Sequence, residues 1–133
     1  MTDQSQRVTL AEYEGTPVVA NFFASWCTAC EAELPGFSKV SDELRGQVQF
    51  LGINSQETGN GLAMAQDFGI DWWPIGVDQG GGNNSGLHRA LGGRGMPLTA
   101  FYSADGELLN VANGALVENQ LRAELRRLYG VDV

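Results

Sequence analysis

The feature that most constrains this chain is the motif Trp26-Cys27-Thr28-Ala29-Cys30, which contains the only two cysteines in the sequence. Residues 17–24, just before it, are rich in β-branched and aromatic side chains, which is typical of a buried strand. Residues 31–45, after it, have apolar side chains at spacings of three and four, which predicts a helix. The cysteine pair is therefore predicted to lie on the first turn of a helix that follows a strand.

This position predicts redox chemistry. At this spacing on a helix, the two sulfur atoms lie close enough to bond to each other. Unsatisfied backbone N–H groups and the positive end of the helix dipole favour a thiolate there. Together with the motif, they lower a cysteine pKa from about 8.5 to between roughly 3.5 and 7.5. We expect Cys27 to be the attacking thiol, because it lies nearest the start of the helix.

The length and charge of the chain restrict its class. Its 133 residues form one domain, large enough for a hydrophobic core without disulfide bonds. A net charge of −8 argues against nucleic acid and anionic membrane partners. Residues 1–7 are predicted to be a disordered lead-in, and they lack the apolar region of a signal peptide. Either the protein is cytoplasmic, or an export segment is absent from this chain.

The remaining patterns predict an α/β fold. Strands are predicted at residues 48–53, 72–77, 98–102 and 107–111, and helices at 60–68, 87–91 and 118–129. Strands separated by helices pair in parallel with right-handed crossovers, and Asp105-Gly106 predicts a hairpin between the last two strands. The result is a mixed sheet with helices on both faces and a C-terminal hairpin plus helix. The glycine-rich residues 79–86 contain no phosphate-binding motif and are predicted to be a mobile surface loop.

Three segments then carry a family resemblance: residues 18–27, residues 30–35 with Cys30 and Glu33, and residues 95–99 with Met96 and Pro97. They resemble the thioredoxin-fold thiol-disulfide oxidoreductases of the TlpA/ResA/DsbE type, which are exported or membrane-anchored in bacteria. The resemblance extends from about residue 8 to residue 128. It implies that Cys27 is an exposed nucleophile and Cys30 a buried resolving thiol. It also implies a cis peptide bond before Pro97, which faces the disulfide and helps to bind substrate, and a Met96 that touches the substrate.

Two departures from ordinary thioredoxins bear on the mechanism. Asn21 replaces their buried aspartate, and Glu33 matches a glutamate that the TlpA/ResA type carries one turn after the second cysteine. We therefore expect Glu33 to accept the proton of Cys30, with burial raising its pKa toward neutrality. The intervening Thr28-Ala29 differs from the Gly-Pro pair of thioredoxins, which leaves the reduction potential open. Trp26 fits either core packing or shielding of the thiolate.

The predicted function is disulfide exchange with protein thiols, as oxidase or as reductase. No cofactor is expected beyond the redox disulfide. Zinc is disfavoured because His88, interpreted as a surface residue, is the only histidine and no second cysteine pair exists. Expected partners are protein thiols or disulfides and a membrane-bound or soluble redox partner, for a monomer located outside the cytoplasm. The alternatives are a cytoplasmic thioredoxin-like reductase and a non-enzymatic binding domain with a structural disulfide.

Overall fold

The computed structural model describes residues 2–3 and 10–133. A short 3-10 turn, Leu10–Tyr13, precedes most of the regular elements. The strands are β1 (Thr2–Asp3), β2 (Val18–Phe23), β3 (Gln49–Asn54), β4 (Ile75–Val77), β5 (Leu98–Tyr102) and β6 (Leu108–Asn113). The helices are α1 (Thr28–Glu43), α2 (Gly61–Asp67), α3 (Gly86–Ala90) and α4 (Glu118–Tyr129).

The six strands form one mixed sheet in the order β1-β4-β3-β2-β5-β6. β2 pairs in parallel with β3, and β3 with β4, as the intervening helices require. β5 runs antiparallel to both β2 and β6, and the last pair is the predicted hairpin. The predicted α/β class, with its mixed sheet and C-terminal hairpin plus helix, is confirmed.

Helices cover both faces of the sheet, as predicted. Neighbouring residues of a strand point to opposite faces, so Val19 and Ala20 belong to different layers. On the first face, α1, α2 and α4 bury a core against the sheet with side chains that include Phe23, Phe37, Phe50, Phe101, Leu121 and Leu125. On the second face, Leu87 of α3 packs against a smaller cluster formed by Ala20, Phe22, Ile53, Leu98 and Ala100. The chain between β4 and β5 thus crosses to the face opposite the cysteine helix.

The C-terminal helix α4 closes the larger core. Leu121 and Leu125 are fully buried, and Leu128 packs against the same cluster. Burying a leucine side chain stabilises the fold by roughly 1.5–3 kcal/mol. The Tyr129 hydroxyl donates to the carbonyl of Val18 (3.2 Å) or of Tyr102 (2.9 Å), which joins the helix to adjacent strands β2 and β5. Within the described residues, no helix is both long enough and apolar enough to span a lipid bilayer.

Two sequence predictions require correction. Thr2–Asp3 forms strand β1, antiparallel to β4, so these residues are not part of a disordered lead-in. The rest of that predicted segment, residues 4–7, lies outside the described residues. The predicted strand 72–77 is restricted to Ile75–Val77, because the chain first makes a turn in which the backbone N–H of Trp73 donates to the carbonyl of Ile70 (2.9 Å).

Candidate active site

Cys27 and Cys30 form a disulfide at the start of α1, with their Cα atoms 5.2 Å apart. Cys27 is the residue that caps the helix, and its sulfur accepts a hydrogen bond from the backbone N–H of Cys30 (3.1 Å). The same N–H group and the helix dipole would stabilise a thiolate on Cys27 once the disulfide opens. The local geometry therefore favours Cys27 as the more acidic thiol of the pair.

Both cysteines of the disulfide are buried. Cys27 is 4% exposed and Cys30 is completely buried. The resemblance implies that Cys27 is exposed, and this prediction is wrong for the disulfide form, because Cys27 belongs to the hydrophobic core cluster beneath α1. Cys27 remains the more accessible of the two residues, which fits attack by an incoming thiolate at its sulfur.

Trp26 and Ser25, in the turn between β2 and Cys27, are hydrogen-bonded to the loop after β3. The Trp26 ring is about half exposed, so it is not core packing, and its N–H donates to the carbonyl of Gln56 (2.7 Å). The backbone N–H of Ser25 donates to Glu57 Oε1 (2.9 Å), and its hydroxyl donates to Glu57 Oε2. Burial pulls the pKa of Glu57 upward, but hydrogen bonds from Ser25, Gly59 and Thr58 outweigh it and hold the pKa below its usual value. An ionised Glu57 therefore anchors the turn that carries the cysteines.

Glu33 is buried one helical turn after Cys30, with 2% of its surface exposed. Its Oε1 accepts from the side-chain amide of Asn21 (2.6 Å), and its Oε2 accepts from the backbone N–H of Leu116 (3.0 Å). Burial raises the pKa of Glu33 to about 7, although both hydrogen bonds act to lower it. The predicted rise toward neutrality is confirmed. The physical reason is that two donors do not compensate for the loss of water around the carboxylate.

The Asn21 side chain has one satisfied end and one unsatisfied end. Its NH₂ group donates to Glu33 and, more weakly, to Thr99 Oγ1 (3.3 Å). Its Oδ1 is buried and has no hydrogen-bond partner among the described residues. A protonated Glu33 could donate to that oxygen after rotation of the amide, because the carboxyl group would then carry an O–H donor. The pair can therefore accommodate both protonation states of Glu33.

The Met96–Pro97 peptide bond is cis, as the resemblance implies. Leu98 begins β5 and lies opposite Phe22 in the antiparallel pair with β2. Pro97, directly before Leu98, therefore lies at the end of the sheet where β2 ends and the turn to Cys27 begins. Met96 is partly buried and packs against the core cluster that contains both cysteines. The structure thus brings the segment carrying Met96 and Pro97 to the same end of the sheet as the disulfide.

His88 is not the surface residue that the sequence suggested. It is 4% exposed, its ring packs edge-on against Phe22, and its Nε2–H donates to the carbonyl of Gly95 (2.7 Å). Asp78, itself buried, accepts from the backbone N–H groups of Leu87 (2.8 Å) and His88 (3.1 Å). Asp78 therefore fixes the backbone of His88 in α3, and the His88 side chain fixes the carbonyl of Gly95, two residues before the cis-proline.

No sequence pattern indicated Glu57, because its partner Ser25 lies 32 positions away, and sequence reasoning misplaced His88 on the surface. A five-residue helix such as α3 is too short for apolar spacing to show which side is buried. In the part of the chain that the structure describes, no three His, Cys, Asp or Glu side chains are grouped as a metal site would require.

Residues 1–107 match the model of the AhpC/TSA family. The chain is 28% identical over 120 residues to the thiol-disulfide oxidoreductase ResA of Halalkalibacterium halodurans, which covers 89% of this chain and 65% of that protein. The chain thus spans slightly less than two thirds of this relative's length.

Solved structures agree on the fold. The pneumococcal exposed lipoprotein thioredoxin of Streptococcus pneumoniae superposes with a TM-score of 0.71 at 26% identity, covering 90% of each chain. A thiol-disulfide isomerase from Corynebacterium glutamicum superposes with a TM-score of 0.81 at 20% identity, covering 99% of this chain and 96% of the other. The second likeness, at its low identity, bears on the fold alone, and that fold matches the predicted one.

Proposed function

This chain belongs to the AhpC/TSA family, and on that premise we propose that it is a thiol-disulfide oxidoreductase that exchanges disulfides with protein thiols through Cys27 and Cys30. The observation that carries the proposal is the placement of Cys27. Its sulfur caps α1, accepts the Cys30 N–H and remains the more accessible end of a disulfide built into the core. A purely structural disulfide has no need of a thiolate-stabilising helix terminus.

The reaction consists of two exchange steps. In the reducing direction, the Cys27 thiolate attacks one sulfur of a substrate disulfide, and the other substrate sulfur leaves as a thiolate. The Cys30 thiolate then attacks Cys27 Sγ, which re-forms the Cys27–Cys30 disulfide and releases the second substrate thiolate. Two electrons pass from the protein to the substrate. The oxidising direction is the same sequence in reverse, beginning with attack of a substrate thiolate on Cys27 Sγ.

Within this scheme, Glu33 handles the proton of Cys30. A thiol buried as fully as Cys30 has no water to stabilise its thiolate or take its proton, so it needs a base before it can attack. Glu33 lies one turn further along α1, and its pKa of about 7 suits both accepting and returning a proton near neutral pH. Asn21 supports the exchange, because its amide can serve the ionised carboxylate with its NH₂ group and the protonated carboxyl with its free Oδ1.

We assign substrate contact to Trp26, Met96 and Pro97. Trp26 is exposed next to Cys27, and its ring is fixed by the bond to Gln56. The segment with Met96 and Pro97 lies at the same end of the sheet as the disulfide, where an extended polypeptide could cross it. The partners would be protein thiols or disulfides, together with a membrane-bound or soluble thiol protein that resets the redox state of the pair.

We also propose that the protein works outside the cytoplasmic membrane. Support comes from Asn21 combined with Glu33, the pattern of the TlpA/ResA type, and from the similarity to an exposed lipoprotein thioredoxin. Labelling of reduced Cys27 in intact cells with a membrane-impermeant maleimide tests this location. Labelling only after lysis would place the protein in the cytoplasm and contradict this proposal.

Trapping of mixed disulfides tests the exchange activity. Cys30→Ser should accumulate mixed disulfides with polypeptide substrates, because the resolving thiol is missing, whereas Cys27→Ser should not. The variant lacking both cysteines is the matched control for capture unrelated to disulfide exchange. Equal trapping by the two single variants would contradict the assignment of Cys27. A reduction potential below about −300 mV, with no trapping by either, would favour the structural disulfide of a binding domain.

A further inference from the structure

The arginine side chains of this acidic protein are unequally paired. The chain has 8 lysines and arginines against 16 aspartates and glutamates. Most basic side chains of the described residues are bound to a carboxylate or to a backbone carbonyl, namely Lys39, Arg45, Arg122, Arg126 and Arg127. The guanidinium groups of Arg89 and Arg94 make no ion pair or hydrogen bond with any described residue. Both side chains are exposed, so their guanidinium groups are accessible to a ligand from solution.

Both unpaired arginines line the same pocket. It has a volume of about 220 Å³ and lies between the glycine-rich loop, represented by Gly82 and Asn83, and the backbone at Gly95. None of its lining residues is acidic. Gly95 directly precedes Met96 and the cis-proline, so the pocket adjoins the segment that we assign to substrate contact. An incoming polypeptide would find concentrated positive charge here and no competing carboxylate.

Hydrogen bonds fix the backbone that carries both arginines. The backbone N–H of Arg94 donates to Asn113 Oδ1 (3.1 Å), and the neighbouring Gly95 carbonyl accepts from His88 (2.7 Å). Arg89 stands in the last turn of α3, whose first turn is capped by buried Asp78. A cation in the last turn of a helix is favoured by the helix dipole, but that effect does not explain Arg94, which lies outside the helices. A pocket on fixed backbone loses less entropy when it binds a ligand.

We propose that Arg89 and Arg94 form a carboxylate-binding site for an acidic side chain of the substrate polypeptide. The inference rests on the proposed function, since it places this site beside the disulfide-exchange centre. Guanidinium groups match carboxylates in shape and charge, and they form paired N–H···O bonds with them. The protein's charge of −8 repels acidic polypeptides in general, so this local positive site would select those with an aspartate or glutamate at the correct distance from the disulfide.

The test uses two disulfide-linked peptides that differ only in one residue beside the disulfide, aspartate in one and asparagine in the other. The double variant Arg89→Gln/Arg94→Gln is compared with Arg126→Gln/Arg127→Gln, which makes the same change in net charge on α4. For the aspartate peptide, we expect kcat/KM of the pocket variant to fall about five- to tenfold. Its reaction with the asparagine peptide and its reduction by dithiothreitol should change less than twofold, and the α4 variant should behave as the wild type does.

Five outcomes separate the inference from its alternatives. Equal losses with both peptides, or an equal loss in the α4 variant, would overturn the carboxylate site. The same applies if the pocket variant retains the full rate with the aspartate peptide. Competition by millimolar inorganic phosphate without any preference between the peptides would identify a site for free anions and overturn the polypeptide assignment. Failure of the wild type to react with either peptide, despite normal reduction by dithiothreitol, would overturn the proposed function itself.

Discussion

Replacing Glu33 with glutamine should remove a pH dependence from the stability of the oxidised protein. Glu33 has a folded-state pKa raised by burial to about 7, against 4.5 for an unperturbed glutamate. The protonated form is therefore favoured in the folded protein. The contribution of Glu33 to the free energy of unfolding is fully present below pH 4.5. It is lost as the pH rises through 7, because the folded protein must then bury a charge that the unfolded chain holds in water.

The size of the loss follows from the two pKa values. A tenfold change in proton affinity corresponds to about 1.4 kcal/mol. The rise from 4.5 to about 7 therefore amounts to about 3 kcal/mol of unfolding free energy between mildly acid and mildly alkaline solution. The other shifted carboxyls do not interfere, because hydrogen bonds and neighbouring arginines hold the pKa values of Glu43, Glu57 and Glu124 below 4.5.

Glutamine preserves the contacts of the protonated acid. Its Oε1 can accept from the Leu116 N–H, and its NH₂ group can donate to Asn21 Oδ1, which otherwise lacks a partner. Urea unfolding of the oxidised proteins at a series of pH values measures the difference directly. We expect the wild type to lose about 3 kcal/mol relative to Glu33→Gln as the pH rises from roughly 4.5 to 8. Parallel curves for the two proteins would refute a buried glutamate with a raised pKa.

Three further predictions concern the surroundings of the site. His88→Phe should slow exchange with a polypeptide disulfide about fivefold, since the bond to the Gly95 carbonyl is lost. Reduction by dithiothreitol should be unaffected, and His88→Gln should restore the polypeptide rate. Gly93→Ala should lower the unfolding free energy by about 1–3 kcal/mol in urea titrations, because the added Cβ would lie within 2.6 Å of the His88 ring. Tyr129→Phe should cost about 1–2 kcal/mol in the same assay, because α4 loses its bond to β2 and β5; an unchanged midpoint would contradict that bond.

The sequence was sufficient wherever a local pattern determines the structure. The helix predicted at residues 118–129 is observed as Glu118–Tyr129, because the alternation of buried leucines and charged residues is strong and Gly130 ends the helix in a left-handed conformation. The hairpin of β5 and β6 forms around Asp105-Gly106 as expected. The position of Cys27 at the start of α1 was likewise evident, because a strand, a turn and an apolar helical stripe follow one another directly.

Prediction from sequence failed where distant segments meet. The bond from the Leu116 N–H to Glu33 and the bonds from Ser25 to Glu57 depend on chain reversals that no local pattern specifies. His88 was misassigned for the same reason: its burial depends on Phe22 and on the carbonyl of Gly95, which come together only when β5 is placed beside β2. Glu33 was the exception, because its spacing from Cys30 on the predicted helix indicated its position. Its contact with the Leu116 N–H could not be predicted.

The long separation between Glu33 and Leu116 has a consequence for biosynthesis. The two residues are 83 positions apart, and Asn21 and Thr99 are 78 apart. A ribosome adding about 5–20 residues per second needs roughly 4–17 s to make Leu116 after it has made Glu33. Throughout that interval the nascent chain already contains both cysteines but lacks the segments that later bury and regulate them. An oxidant that reaches the chain before Leu116 is made therefore meets two thiols that the finished core does not yet bury.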